Sequence, residues 1–325
     1  MNRRDLTLGA ASLVAAAAFG GGNAEADESE PTISRAARAL HRRAIVLDAN
    51  LAPPAWYSFA PPGWDDAQVS SDTVDTVHRS GLTAMKLTIG GFNAPLEDTV
   101  AEIAAVQRLI EARADLFTQI RRADEIEAAK AARELGIILS FESAVALEDK
   151  LDRINLFRAL GVRVMQLAYN MPSPFGAGVL SPPDAGLTEL GREAITRMNE
   201  VGVAIYDLFY LAPSPRQPNI GDYIAHMAHA LDACGEDHVG IGSDASFDSL
   251  ELSPDARANW DRVLAARRAA GMAAPEEDRM PYTEGLNRPD RTLVVADALL
   301  RRGYPARVAE KVLGANFVRA FREIW

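Results

Sequence analysis

The chain has 325 residues, with 34 Lys and Arg against 45 Asp and Glu, a formal charge of −11, 48% hydrophobic and 24% charged residues, and one cysteine. A chain this long buries a large core in one or two domains without covalent staples. The acidic balance argues against nucleic acid or anionic membrane as the main partner, and Cys234 alone can make neither an intrachain disulfide nor a cysteine-based zinc knot.

Residues 1–26 read as an address, not as fold. Arg3 and Arg4 precede an apolar, alanine-rich run from Leu6 to Phe19, glycines at 20–22 break it, and Ala24-Glu25-Ala26 offers a cleavage site. The run is shorter than the roughly 20 residues of a membrane-spanning helix, so no transmembrane segment is expected. The paired arginines resemble a twin-arginine export signal, with an ordinary secretory signal as the alternative. Either predicts an exported or periplasmic protein. Cleavage after Ala26 removes Arg3, Arg4, Asp5 and Glu25, which leaves the charge of residues 27–325 at −11.

In chain order, helical patterns are expected over Ile33–Ala44, Asp72–Arg79, Leu96–Arg113, Asp124–Leu135, Leu147–Leu160, Leu187–Val201 (with Thr188 as N-cap) and Tyr223–Cys234, and through much of Pro254–Trp325 outside a loop near Ala273–Asn287. Short apolar strands are expected at Ile45–Leu47, Ala84–Ile89, Ile137–Phe141, Val162–Ala168, Val203–Leu208 and Val239–Gly242. Such alternation means parallel βα units in an α/β fold, and continuous apolar runs fit strands covered on both faces. A doubly wound sheet and a TIM-type (β/α) barrel both satisfy the pattern. The barrel is favoured because no Gly-x-Gly-x-x-Gly follows the first strand, and because Asp48, Glu142 and Asp244 end separate strands where barrel enzymes place their chemistry. Helix caps or turn residues are the bland alternative for these acids.

Five ordered motifs carry a resemblance. They are Phe141-Glu142-Ser143-Ala144; Gly161-Val162-Arg163-Val164-Met165-Gln166-Leu167-Ala168-Tyr169-Asn170; Gly186-Leu187-Thr188-Glu189-Leu190-Gly191-Arg192-Glu193 with Met198-Asn199; Asp237-His238-Val239-Gly240-Ile241-Gly242-Ser243-Asp244; and Lys311-Val312-Leu313-Gly314-Ala315-Asn316-Phe317-Val318-Arg319. Together they resemble the membrane (renal) dipeptidases, zinc peptidases with a (β/α) barrel. The resemblance runs from Ala44 to Trp325 and implies hydrolysis of dipeptides by water activated between two zinc ions. It implies Glu142 as the bridging metal carboxylate, Asp244 as the catalytic last-strand acid that handles the substrate amine and proton transfer, Tyr169 where many relatives place a histidine that assists the substrate carbonyl, and Asn170 beside it in a structural role. A phenol at Tyr169 can still donate a hydrogen bond.

The departures from the family concern the metal. Its first-strand His-x-Asp falls on Asn50 and Ala52 in one register and on Asp48 and Asn50 in another, so oxygen ligands stand where imidazole is expected. The two later metal histidines are also missing. Val203 to Leu211 fits the family's seventh strand better than its fifth, and either alignment lacks histidine. Loss of the usual fifth and sixth strands leaves a shortened barrel of about six parallel strands over 27–325. His226 and His229 sit three apart on a helix expected to lie outside the barrel, while His41, His78 and His238 need no special role. Neither a Gly-x-Ser-x-Gly elbow nor a Walker loop occurs.

The expectation is a membrane-dipeptidase-like protein with a dipeptide-like ligand, zinc by resemblance or none bound, and reduced or lost hydrolysis. The alternative is a non-catalytic periplasmic small-ligand-binding or degenerate barrel. Missing strands would leave edges that invite pairing with a second copy, so a homodimer is a further expectation.

Overall fold

The computed structural model describes residues 32–325 apart from 53–70, 92, 183–184 and 206–215. The expected export signal at 1–26 lies outside the described residues. In chain order the elements are α1 (Arg35–Arg43), β1 (Leu47–Ala52), α2 (Ser71–Ser80), β2 (Ala84–Ile89), α3 (Leu96–Ala112), β3 (Phe117–Gln119), α4 (Asp124–Ala132), β4 (Leu135–Phe141), α5 (Asp152–Ala159) and β5 (Val162–Met165). They continue with α6 (Glu189–Val201), β6 (Ala204–Ile205), α7 (Ile220–Cys234), β7 (Ala245–Ser246), α8 (Pro254–Ala269), α9 (Arg291–Arg301), α10 (Ala306–Glu310) and α11 (Asn316–Ile324). Among the described residues no helix is long and apolar enough to cross a membrane.

The chain divides into two compact units, Met1–Leu82 with Tyr210–Asn316, and Thr83–Phe209 with Phe317–Trp325. In the first, β1 and β7 run parallel, Leu51 opposite Ala245. Its core joins Leu40, Val46, Tyr223, Met227, Ile241, Leu299 and Leu313. Side chains set the helix starts. Ser34 caps α1 by accepting from the Ala37 N–H at 3.1 Å, and Asn219 with Asp222 forms a reciprocal capping box on α7. Ser253, followed by Pro254, caps α8.

The second unit is a parallel ladder in the order β6, β5, β4, β2, with β3 on β4. β4 is buried along its whole length, as a strand covered on both faces should be. Thr188 caps α6 through the Gly191 N–H at 3.0 Å, as the sequence predicts. The helix ends at Gly202, left-handed at φ 71°. A side chain there would meet both the αL penalty and the carbonyl of Ile324.

The parallel α/β character matches the expectation, with four differences in detail. The first strand runs Leu47–Ala52 rather than Ile45–Leu47, so Asp48 lies near its start and not at its C-terminal end. A seventh strand, β3, joins the six expected. Its three residues Phe117-Thr118-Gln119 are too few to show alternation between two alanine-rich helices. The strand expected at Val239–Gly242 reduces to a bridge between Ile241 and Asp48, and laddering resumes at β7. Gly240 and Gly242 weaken that run. The helix expected over Leu147–Leu160 splits into a 3₁₀ turn, Ala144–Leu147, and α5, because Glu148 turns to φ 53°. Between β5 and β6 the described residues hold one helix, α6, and no further strand, as the missing-strand reading requires. The tail of the Val203–Leu208 strand lies outside the described residues.

Candidate functional site

The site residues expected from sequence fall in both units, and each group is built by its own ladder. In the first unit β1 buries Asp48 completely and Asn50 almost completely. Ser243 clamps Asp48: its backbone N–H donates to Oδ1 at 3.0 Å and its hydroxyl to Oδ2 at 2.7 Å. The Asn50 N–H also donates to Oδ1, at 3.2 Å. Both carboxylate oxygens are thereby engaged. Burial pushes the Asp48 carboxyl above the usual carboxylate range, against the pull of the Ser243 hydrogen bonds and the nearby positive charge of Arg291. Arg291 is itself buried, and burial lowers its pKa while Asp48 and Tyr223 oppose that shift. The Tyr223 hydroxyl is pushed up, first by burial and then by the charge of Asp48.

Asn50 reaches the last of these residues. Its Nδ2 donates to Asp244 Oδ1 at 2.7 Å, and the Asp244 N–H donates to the Asn50 carbonyl at 2.7 Å. Asp244 is exposed and holds a left-handed backbone, φ 49°. Among L residues aspartate is one that tolerates this conformation. The structure therefore joins Asp48, Asn50 and Asp244 into one network and adds Ser243, Arg291 and Tyr223 to it.

In the second unit Glu142 follows β4 and is half-buried. Tyr169 is half-buried and Asn170 buried. Their carbonyls accept the Val179 N–H at 3.1 Å and the Leu180 N–H at 2.9 Å, which folds the loop back on itself. Gly178 makes this possible, since a Cβ there would strike the carbonyls of Tyr169, Asn170 and Met171. Beneath Glu142 the same ladder buries Lys86 and Ser140, and Gln166, just past β5, is buried at the level of Glu142. None of these was singled out from sequence. A lysine inside the apolar run Ala84–Ile89 was the available signal, because a buried charge in a strand is rarely idle.

The histidines lie elsewhere. His226 and His229 are exposed on α7, His78 is exposed on α2, and His238 bonds through Nδ1 to the Cys234 carbonyl at 2.9 Å. His41 is buried against the Thr292 hydroxyl at 2.9 Å. Among the described residues no three His, Cys, Asp or Glu side chains cluster so as to hold a metal ion.

The profile of the membrane dipeptidases, peptidase family M19, matches residues 35–212, more than half of the chain. The chain belongs to the membrane dipeptidase family. The match contains Asp48, Asn50, Glu142, Tyr169 and Asn170 and stops short of Asp244. Curated relatives include dipeptidase tcpJ of Claviceps purpurea, 21% identical over 291 residues and aligned over 71% of this chain and 61% of the relative. An uncharacterized dipeptidase of Schizosaccharomyces pombe is 23% identical over 221 residues, 49% of this chain and 53% of its own length. This family member thus spans between half and two-thirds of the curated relatives it matches.

Among solved structures, an amidohydrolase from Pseudomonas aeruginosa superposes with a TM-score of 0.71 at 22% identity, covering 89% of this chain and 99% of the other. Dipeptidase AC, a metallopeptidase of family M19, gives 0.65 at 16%, covering 87% and 99%. A metallopeptidase from Rhodobacter sphaeroides, solved with a phosphinate mimic of L-Ala-D-Ala, gives 0.62 at 17%, covering 87% and 100%. At these identities the likeness speaks to fold alone, an α/β fold of parallel strands consistent with the shortened barrel expected from sequence.

The family is one of zinc peptidases. In this member three hydrogen bonds, from Ser243 and Asn50, already hold the Asp48 carboxylate, and the Asn50 amide turns its NH₂, a donor, toward Asp244, so the first-strand side chains are engaged within the protein and lack the imidazole that zinc favours. A metal ligand must offer a lone pair. Glu142, the other carboxylate at an expected ligand position, follows β4 in the second unit.

Proposed function

We propose that this family member binds a small dipeptide-like ligand and that its peptide hydrolysis is reduced or lost relative to zinc-loaded dipeptidases. One observation carries the reading: the Ser243 clamp on Asp48, which commits the first-strand carboxylate to hydrogen bonds within the protein. Catalytic zinc takes three protein ligands, and Glu142 is the one secure candidate here. In this reading Tyr169 and Asn170 belong to ligand binding, and Asp244 retains the role of the last-strand acid. The arginine pair at Arg3-Arg4 supports export to the periplasm.

The test combines elemental analysis of the purified full chain with an alanyl-alanine turnover assay. Substoichiometric zinc and turnover near background are expected. Stoichiometric zinc with turnover abolished by Glu142→Gln would overturn the reading in favour of a working metallodipeptidase. A non-catalytic binding protein is the second reading, favoured by the same clamp. It requires ligand binding that persists in excess chelator.

A further inference from the structure

The ladder of the second unit has two distinct faces. Phe141 meets Phe157 of α5 edge-on, with ring centroids 4.6 Å apart, so the face bearing Phe141 is covered by helix. Phe141 pairs with Met165 and with Ile89, which share that face. The opposite face carries Lys86 beside Ile138, Thr88 beside Ser140, and Ser140 beside Val164. Glu142 and Gln166 continue this alternation past the strand ends, and the Gln166 N–H extends the ladder by donating to the Phe141 carbonyl at 3.0 Å. Glu142 and Gln166 are therefore neighbours on adjacent strands, above a buried polar stripe where barrel interiors ordinarily stack Val, Ile and Leu.

Gln166 is 6% exposed. Its Nε2 donates to the Ala168 carbonyl at 2.7 Å. A carbonyl can only accept, so this bond fixes which end of the amide is oxygen. The oxygen, Oε1, is buried and accepts no hydrogen bond among the described residues. Orphaned buried acceptors are rare in native proteins and mark a place where a donor is brought from elsewhere. By register, the residue opposite Gln166 at the adjacent strand end is Glu142, a carboxylate. A neutral amide oxygen and a carboxylate side by side, both acceptors, suit a donor with several N–H groups and a positive charge.

We propose that Gln166 Oε1 and the Glu142 carboxylate form an acceptor pair for the protonated primary amine of the ligand, holding it without a metal. The proposal rests on the reading of a small dipeptide-like ligand and adds the residue that recognises its amino end. Gln166 is a binding residue in this scheme and takes no part in bond making.

The experiment measures binding to the full-length protein in excess EDTA, by calorimetry, with propylammonium chloride, the neutral isostere 1-propanol, and alanyl-alanine with its N-acetyl form. Wild type should favour propylammonium over 1-propanol by about tenfold or more, and Gln166→Met should bring the two within about twofold, since a site built around a hydrogen bond discriminates through it. Lys86→Met should leave the preference for the cation in place. If Gln166→Met fails to fold, Glu142→Gln carries the test with the same expected loss of preference. An unchanged preference in a folded Gln166→Met variant overturns the proposal, as does the absence of any preference in wild type, which would assign Oε1 to an ordered water. Should propylammonium behave as expected while alanyl-alanine fails to bind, the dipeptide reading falls and the amine site stands. Alanyl-alanine binding that Gln166→Met does not weaken relative to its N-acetyl form has the opposite meaning.

Discussion

Ser243 grips Asp48 with two donors, its own N–H on one carboxylate oxygen and its hydroxyl on the other, across 195 residues of sequence. The carboxylate is wholly buried, so each donor offsets part of a desolvation cost that water cannot meet. Ser243→Ala removes the 2.7 Å hydroxyl bond and leaves Oδ2 without that donor, which should cost about 1–3 kcal/mol of stability. Urea unfolding of variant and wild type measures it. A change under about 0.5 kcal/mol would show that the clamp contributes little.

The acid limb of stability is expected to depend on Glu236. Arg307, and after it Lys311 with its ammonium 2.8 Å away, hold its carboxyl down at about 2. A carboxyl whose folded pKa lies below its unfolded value adds stability above the ordinary carboxylate range, and that stability is lost as pH falls toward about 2. Asp48 works in the opposite direction. Its folded pKa is raised, so its contribution is present in acid and lost as pH rises through the folded value. Thermal melts from pH 5 down to pH 2 should therefore fall less steeply in Glu236→Gln than in wild type. The difference should shrink at about 1 M salt, where the screening length drops to about 3 Å. Identical slopes at low salt would refute the assignment.

Much of this fold is legible before any coordinates. Thr188 announces α6 because a cap is a local event, and Ala84–Ile89 announces β2 because a buried strand is mostly apolar, Lys86 and Thr88 notwithstanding. What the sequence conceals is long-range or brief. Three residues at Phe117–Gln119 carry no period. Asp48 reads as a candidate ligand because nothing near it in sequence shows Ser243 donating to both its oxygens, or Arg291 lying close behind. Gln166 sits inside a motif quoted for its family resemblance, yet only the Ala168 carbonyl, by fixing the amide, exposes its orphaned oxygen.

In the first unit Arg267 and Glu277 form a two-pronged pair, Nε to Oε2 at 2.7 Å and Nη2 to Oε1 at 2.8 Å, with both side chains under one-tenth exposed. Breaking such a pair leaves a buried guanidinium uncompensated. Glu277→Ala should destabilise the protein by about 3–5 kcal/mol, while Arg267→Met combined with Glu277→Leu should restore most of that loss. The double-mutant comparison by urea unfolding decides it, and additive losses would mean that the two side chains act independently.

Zinc should leave the stability of the full chain unchanged. A ligand present at about 1,000 times its dissociation constant raises stability by about 4 kcal/mol, which in a chain of this size lifts the melting temperature by several degrees. The first-strand side chains are engaged with Ser243 and Asp244, so zinc binding there would compete with four hydrogen bonds, those from Ser243 N–H, Ser243 hydroxyl, Asn50 N–H and Asn50 Nδ2. Melts recorded with excess zinc and with excess EDTA should therefore agree within about 1 °C. A zinc-dependent rise of several degrees that Glu142→Gln abolishes would show that the carboxylate after β4 assembles a metal site despite the clamp, and the reading of reduced hydrolysis would fall with it.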